Sequence, residues 1–172
     1  MWDTPFKFEK LNHTPPKPIG EWSLITHNYS FRGNGNKRYL AIAEQYDYSI
    51  YVVKFCHYER KNHPDRFTKL TGFNECNRVL TTMGFIMKEL YSKNPYASFG
   101  FIGTNLPEEA KSNTKRFRLY STVVTQLVAP VDFIHVQAHK HSAYLLLNKN
   151  NEDPGLRENI EKMFNSIYNL DE

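Results

Sequence analysis

The hydrophobic positions of the chain change period several times, and each change marks an element. Residues 22–31, 37–45 and 49–57 are rich in β-branched and aromatic side chains and predict three consecutive strands. The first two are joined by Arg32-Gly33-Asn34-Gly35-Asn36, a hairpin turn in which Asn-Gly tolerates positive φ. In residues 73–93 the period becomes helical: Cys76, Val79, Leu80, Met83, Ile86, Met87 and Leu90 recur at steps of three and four. Asn94-Pro95 ends that helix. Residues 97–103 (ASFGFIG) are continuously apolar or small, the pattern of a buried central strand. Residues 114–128 predict a second helix, with Phe117, Tyr120, Val124, Leu127 and Val128 on one face and Asn113 as its N-cap. Residues 131–138 and 142–148 flank His139-Lys140-His141 as a closing hairpin. Asp153-Pro154 then caps and opens a terminal helix whose apolar face is Leu156, Ile160, Met163, Phe164 and Ile167.

The order βββ-α-β-α-ββ-α predicts one α+β domain over residues 21–172, built on a mixed, largely antiparallel sheet. Residues 1–20 read as an extended arm. Pro15, Pro16 and Pro18 forbid helix there, and Trp2, Phe6 and Phe8 are available to pin the arm to the body. A chain of 172 residues buries roughly 70% of its unfolded surface without a metal or disulfide staple. An aromatic content of 15% argues against disorder. No apolar run approaches the roughly 20 residues of a membrane span. The first residues show no apolar signal segment, and Cys56 and Cys76 read as reduced, buried thiols. A cytoplasmic location without membrane contact is therefore expected.

Charge adds a direction. The net charge is +4, but residues 151–172 hold six acidic and two basic side chains. The preceding 150 residues carry 20 bases against 12 acids, a balance that favours an anionic partner such as a phosphate-bearing ligand or nucleic acid. A solvated surface with one helix of opposite sign accounts for the same numbers. The strongest local signal lies at the start of the second helix, where Lys111, Lys115, Arg116 and Arg118 surround Asn113. Cations oppose the helix dipole at an N-terminus, where sequences normally place Asp or Glu. Free N–H groups, dipole and basic side chains together make an anion site, with these five residues as ligand-binding candidates. Glu108 and Glu109 are the internal alternative, since they can neutralise the same cluster.

Other residues offer less. The stretch 60–69 adds Arg60, Lys61, Arg66 and Lys69, with His57 and His63 beside them, most simply as a solvated loop. His135 is a candidate general base, as in a metal-independent ribonuclease of the toxin type. His135 and His139 lie about 13 Å apart on an extended strand, so no metal site is expected. Tyr46, Tyr48, Tyr51 and Tyr58 can stack bases on a sheet or simply pack within it. No P-loop, dinucleotide fingerprint, nucleophile elbow or H-E-x-x-H occurs.

The stretches YVVKF (51–55), GFNECNRVL (72–80), YASFGFIGTN (96–105), NTKRFRLY (113–120) and SAYLLLNK (142–149) resemble an uncharacterised family of short Bacteroidetes-type bacterial proteins. That resemblance implies a bacterial single-domain protein and no particular reaction. The α-β-α-β-β order after a meander is also similar to the core of GNAT-type acetyltransferases. Asn113, Leu119 and Tyr120 stand at the spacing of that family's Asn…Leu-Tyr block. The likeness implies acetyl coenzyme A as cofactor and Tyr120 as the group that protonates the leaving thiolate. The family's Gly-rich pyrophosphate loop is represented here by one glycine, Gly72, in Lys69-Leu70-Thr71-Gly72-Phe73-Asn74. A third expectation is a protein-interaction role in a toxin-antitoxin, immunity or phage-defence system, through the Pro-rich arm or the acidic last helix.

Overall fold

Alternation along the strands gives the sheet two apolar faces, and both are covered. A computed structural model of the chain describes residues 4–67, 75–103, 109–110, 112–128 and 130–170. The strands are β1 (Phe8–His13), β2 (Lys17–Ile19), β3 (Trp22–Arg32), β4 (Arg38–Gln45), β5 (Ile50–His57), β6 (Ser98–Ile102), β7 (Phe133–Ala138) and β8 (Ala143–Asn148). The helices are α1 (Cys76–Lys93), α2 (Lys115–Leu127) and α3 (Leu156–Tyr168). Among the described residues the strands form one eight-stranded sheet in the order β1-β3-β4-β5-β6-β8-β7, with β2 beside β3. Every pairing is antiparallel except that of β5 with β6. The domain is α+β, and no described helix is long and apolar enough to cross a membrane.

Residues at alternate positions go to opposite layers. Tyr51 of β5 joins Tyr29, Tyr39, Phe99 and Leu146 in a core under α1 and α2. Ile50 and Val52 of the same strand face the other way, into a core with Ile160, Met163 and Phe164 of α3. The strands of the meander fall within a residue or two of their expected bounds. In the hairpin turn Gly35 and Asn36 hold φ of 65° and 60°. The first residues are more than an arm. Phe8–His13 pairs along the edge of β3, and Phe6 is buried, stacked on Phe31 at 5.9 Å. The Phe6 amide donates to Thr82 Oγ1 at 2.9 Å, which ties this segment to α1.

Two helix starts differ from expectation. The cap of α2 is Thr114, whose Oγ1 accepts from the Phe117 amide at 3.1 Å; Asn113 lies outside the helix at φ 49°. Thr114 wins because its hydroxyl also donates to the Gly103 carbonyl at 2.7 Å, a tertiary bond that Asn113 does not make. Likewise α3 starts at Leu156 with Gly155 at its cap. Asp153 forms a turn before it, its Oδ1 accepting from the Gly155 amide at 2.9 Å.

At the start of α1 the buried Glu75 carboxylate joins three elements. It accepts from the Tyr39 hydroxyl at 2.5 Å and from the Asn34 amide at 2.6 Å, so the β3–β4 turn is fastened to the helix. Burial and this carboxylate push the Tyr39 phenol well above its ordinary value. Replacing Glu75 by Ala removes this carboxylate from both donors. The expected loss is about 1–3 kcal/mol of unfolding free energy in a urea titration, the usual cost of removing the partner of a buried polar group. An unchanged midpoint would contradict this role.

Candidate functional site

The pairing of β5 with β6 covers only Ile50↔Ser98, Tyr51↔Phe99 and Val52↔Gly100. Beyond it β5 continues to His57 alongside β4, while β6 ends at Ile102. The two strands part, and the gap opens a cleft of about 600 Å3. Val53, Lys54 and Phe55 of β5 line it. Phe101 of β6 and the inner faces of α1 and α2 complete its wall.

Both helices begin at the open end of the cleft. β5 and β6 run in the same direction, so α1, which connects them, runs back against both. β7 is antiparallel to β8 and β8 to β6, so α2, which leads from β6 to β7, runs back in the same sense. The first turn of α2 is held against the end of β6 by close approach: a Cβ at Gly103 would stand 2.4 Å from the Phe117 amide nitrogen. The Thr114 amide donates to the buried Ser142 Oγ at 3.0 Å, which locks the same turn to the β7–β8 hairpin.

The candidate anion-binding residues go to different places. Arg116 is half-buried, lines the cleft and donates to the Phe67 carbonyl. Lys115 is exposed, and its amide donates to Glu109 Oε1 at 2.7 Å, so a carboxylate of the chain already occupies part of the helix N-terminus. Arg118 is exposed and donates to the Asn113 carbonyl at 2.5 Å. Lys111 lies outside the described residues, as do Lys69 and Gly72. The five positions therefore do not converge on one point. Arg116 alone among the described four reaches the cleft.

Tyr120 sits one turn beyond Arg116 on the same helix face and also lines the cleft. Its ring lies 5.6 Å from that of Phe101 and 6.2 Å from that of Phe55. Burial pushes its phenol up to about 12, with the Cys76 thiol acting in the same direction and Arg116 opposing. It therefore stays protonated at neutral pH. Lys54, which also lines the cleft, pairs with Glu44 Oε1 at 2.6 Å. Glu44 also accepts from Tyr46 Oη at 2.5 Å.

His135 is on the far side of α2, outside the cleft. Its Nδ1 lies 2.6 Å from Tyr144 Oη, which in turn is 3.3 Å from Thr125 Oγ1. Burial lowers its pKa from 6.5. Of the thiols, Cys56 is buried, whereas Cys76 is half-buried at the first turn of α1. The expectation that both are buried holds for Cys56 only: the apolar stripe of α1 becomes covered one turn later, from Val79 onward. Tyr46 and Tyr51 are buried in the two cores, so they are not available to stack bases on an open sheet. The loop cations are also engaged: Arg60 pairs with Asp65 at 2.7 Å, and Lys61 lies over the Tyr58 ring at 4.0 Å. No group of three His, Cys, Asp or Glu able to hold a metal ion occurs among the described residues. Nothing in the sequence announced the cleft, because it depends on where a strand pairing stops.

Compared with protein-family models, curated proteins and solved structures, the chain matches none.

Two outcomes follow from this geometry. Thr114→Ala should cost about 1–2 kcal/mol of stability, the usual loss of an N-cap, and calorimetry showing no lower melting temperature would contradict the cap. His135 has a folded-state pKa below its ordinary 6.5, so folding favours its neutral form. That contribution is present above about pH 6.5 and is lost as the pH falls below it. Denaturation between about pH 7 and about pH 5 should show stability falling with pH. The slope should be shallower in His135→Asn; an equal or steeper slope would contradict the assignment.

Proposed function

We propose that the chain binds a phosphate-bearing acyl carrier of the coenzyme A type and transfers its acyl group. The observation that carries this reading is the cleft where β5 and β6 part, with Tyr120 and Arg116 on its wall. An apolar cleft with a few convergent polar groups is the usual form of a small-molecule site. Arg116, with the exposed Lys115 and Arg118 on the neighbouring turn, supplies the positive field that a phosphate-bearing carrier requires. This joins the anion-binding expectation to the likeness to GNAT-type acetyltransferases, in which the residue at the position of Tyr120 protonates the leaving thiolate.

In the proposed reaction an amine attacks the thioester carbonyl. The C–N bond forms, the C–S bond breaks, and the thiolate takes a proton from the Tyr120 phenol. The amine loses one proton as the amide forms, and that proton restores the phenol. General acid catalysis of this kind contributes about 10²–10⁴ in rate.

Binding of acetyl coenzyme A should be measured by calorimetry, and thiol release with a panel of primary amines. Arg116→Glu should weaken binding at least tenfold with the melting temperature checked in parallel. Tyr120→Phe should keep binding within about threefold and slow thiol release about a hundredfold. A chain that binds no coenzyme A ester, or an Arg116→Glu variant that binds normally, would overturn the reading.

A further inference from the structure

The cleft extends well past the point where Tyr120 would meet a thioester. Along α1 its lining runs from Leu80 to Tyr91, and along α2 from Arg116 to Val128. At a rise of about 1.5 Å per residue, these stretches make a groove roughly 17 Å long between two helices that run in the same direction. Apolar side chains make up most of the groove; Arg116 stands near the start of α2, and Lys88 and Asp132 line it toward the Tyr91 end. Arg116 and the N-terminal turn of α2 stand at the end where β5 and β6 part. Beyond Tyr120, Met83, Met87, Val124, Leu127, Phe99 and Leu146 form the walls and floor. Methionine is unbranched and adapts its shape to what it meets.

One residue lets the two helices meet closely beside this groove. Gly84 lies inside α1, where glycine costs about 0.5–1 kcal/mol relative to alanine. A Cβ there would stand 3.2 Å from Leu127 Cδ1 across the groove. The helices touch at this point, so a larger side chain would displace Leu127 and intrude on the groove that both residues line.

We propose that the groove holds the aliphatic tail of a medium- or long-chain acyl group, its anionic head at the Arg116 end and its reactive carbonyl beside Tyr120. The proposal rests on the reading of the cleft as an acyl-carrier site and names the substrate class. An acetyl group leaves the length of the groove empty; a tail of about ten methylenes covers its apolar walls. The head is either the thioester of a phosphate-bearing carrier or a free carboxylate, and the two are separable by experiment.

Calorimetry of the full chain with coenzyme A, acetyl coenzyme A, dodecanoyl coenzyme A and dodecanoate, all below micellar concentrations, tests it. Each methylene removed from water strengthens binding roughly fourfold. Partial burial of the tail should make dodecanoyl coenzyme A at least a hundredfold tighter than acetyl coenzyme A. Gly84→Leu should abolish that gain and leave acetyl coenzyme A binding within threefold of wild type. Leu127→Trp fills the groove from the other helix and should do the same, so one variant that fails to fold leaves the test intact. Acetyl and dodecanoyl esters of equal affinity would overturn the tail site while leaving the carrier reading in place. Binding of dodecanoate with no binding of any coenzyme A ester would support the tail site and overturn the carrier reading. No binding by any of the four would overturn both.

Discussion

Three residue pairs hold β5 to β6, and their parallel direction constrains everything built around them. Strands that run the same way need a long crossover, and α1 is that crossover. It must lie on one face of the sheet, and α2 follows on the same face because β7 runs in the direction of β6. Both helices therefore start at the end where the strands separate. Had the pairing continued to the end of β5, Val53, Lys54 and Phe55 would sit in a closed sheet. Instead they line the cleft where the two strands part.

Buried polar groups set the helix starts, and apolar packing does the rest. Glu75 fastens the beginning of α1 to the β3–β4 turn through Tyr39 and Asn34. Thr114 fastens the beginning of α2 to Gly103 and Ser142. A buried donor or acceptor left unpaired costs far more than a slightly looser apolar contact, so these bonds dictate position. They fix Arg116 and Tyr120 within the first two turns of α2, at the mouth of the cleft. Further along, apolar contact takes over, and Gly84 lets α1 approach Leu127 of α2.

Strands with β-branched alternation and helices with a clear apolar stripe were legible, because their pattern is local. SIYVVKFCH and the steps from Val79 to Leu90 mark β5 and α1 without any tertiary knowledge. β1 was legible only as extended chain: FEKLNH is polar and exposed along most of its length, and its pairing with β3 is a long-range choice. The cap of α2 was off by one residue because Asn113 and Thr114 are both good caps and a tertiary bond to Gly103 decided between them. The basic cluster was legible as composition but not as geometry. Lys115 and Arg118 point to solvent, Glu109 occupies the first amide, and Arg116 turns inward. Tyr120 was named by spacing, while its place beside Phe101 required the fold. Glu75 carried no signal at all, since a lone glutamate before a helix reads as surface.

The chain's four methionines offer a direct test of the cleft as the ligand site. Met83 and Met87 line it, while Met163 belongs to α3 and is packed against the opposite face of the sheet. Methyl-labelled methionine spectra recorded during titration with dodecanoyl coenzyme A would report each position separately. The account predicts saturable shifts of the Met83 and Met87 methyl signals with Met163 unmoved. Shifts confined to Met163, or no movement of Met83 and Met87 at saturation, would contradict it.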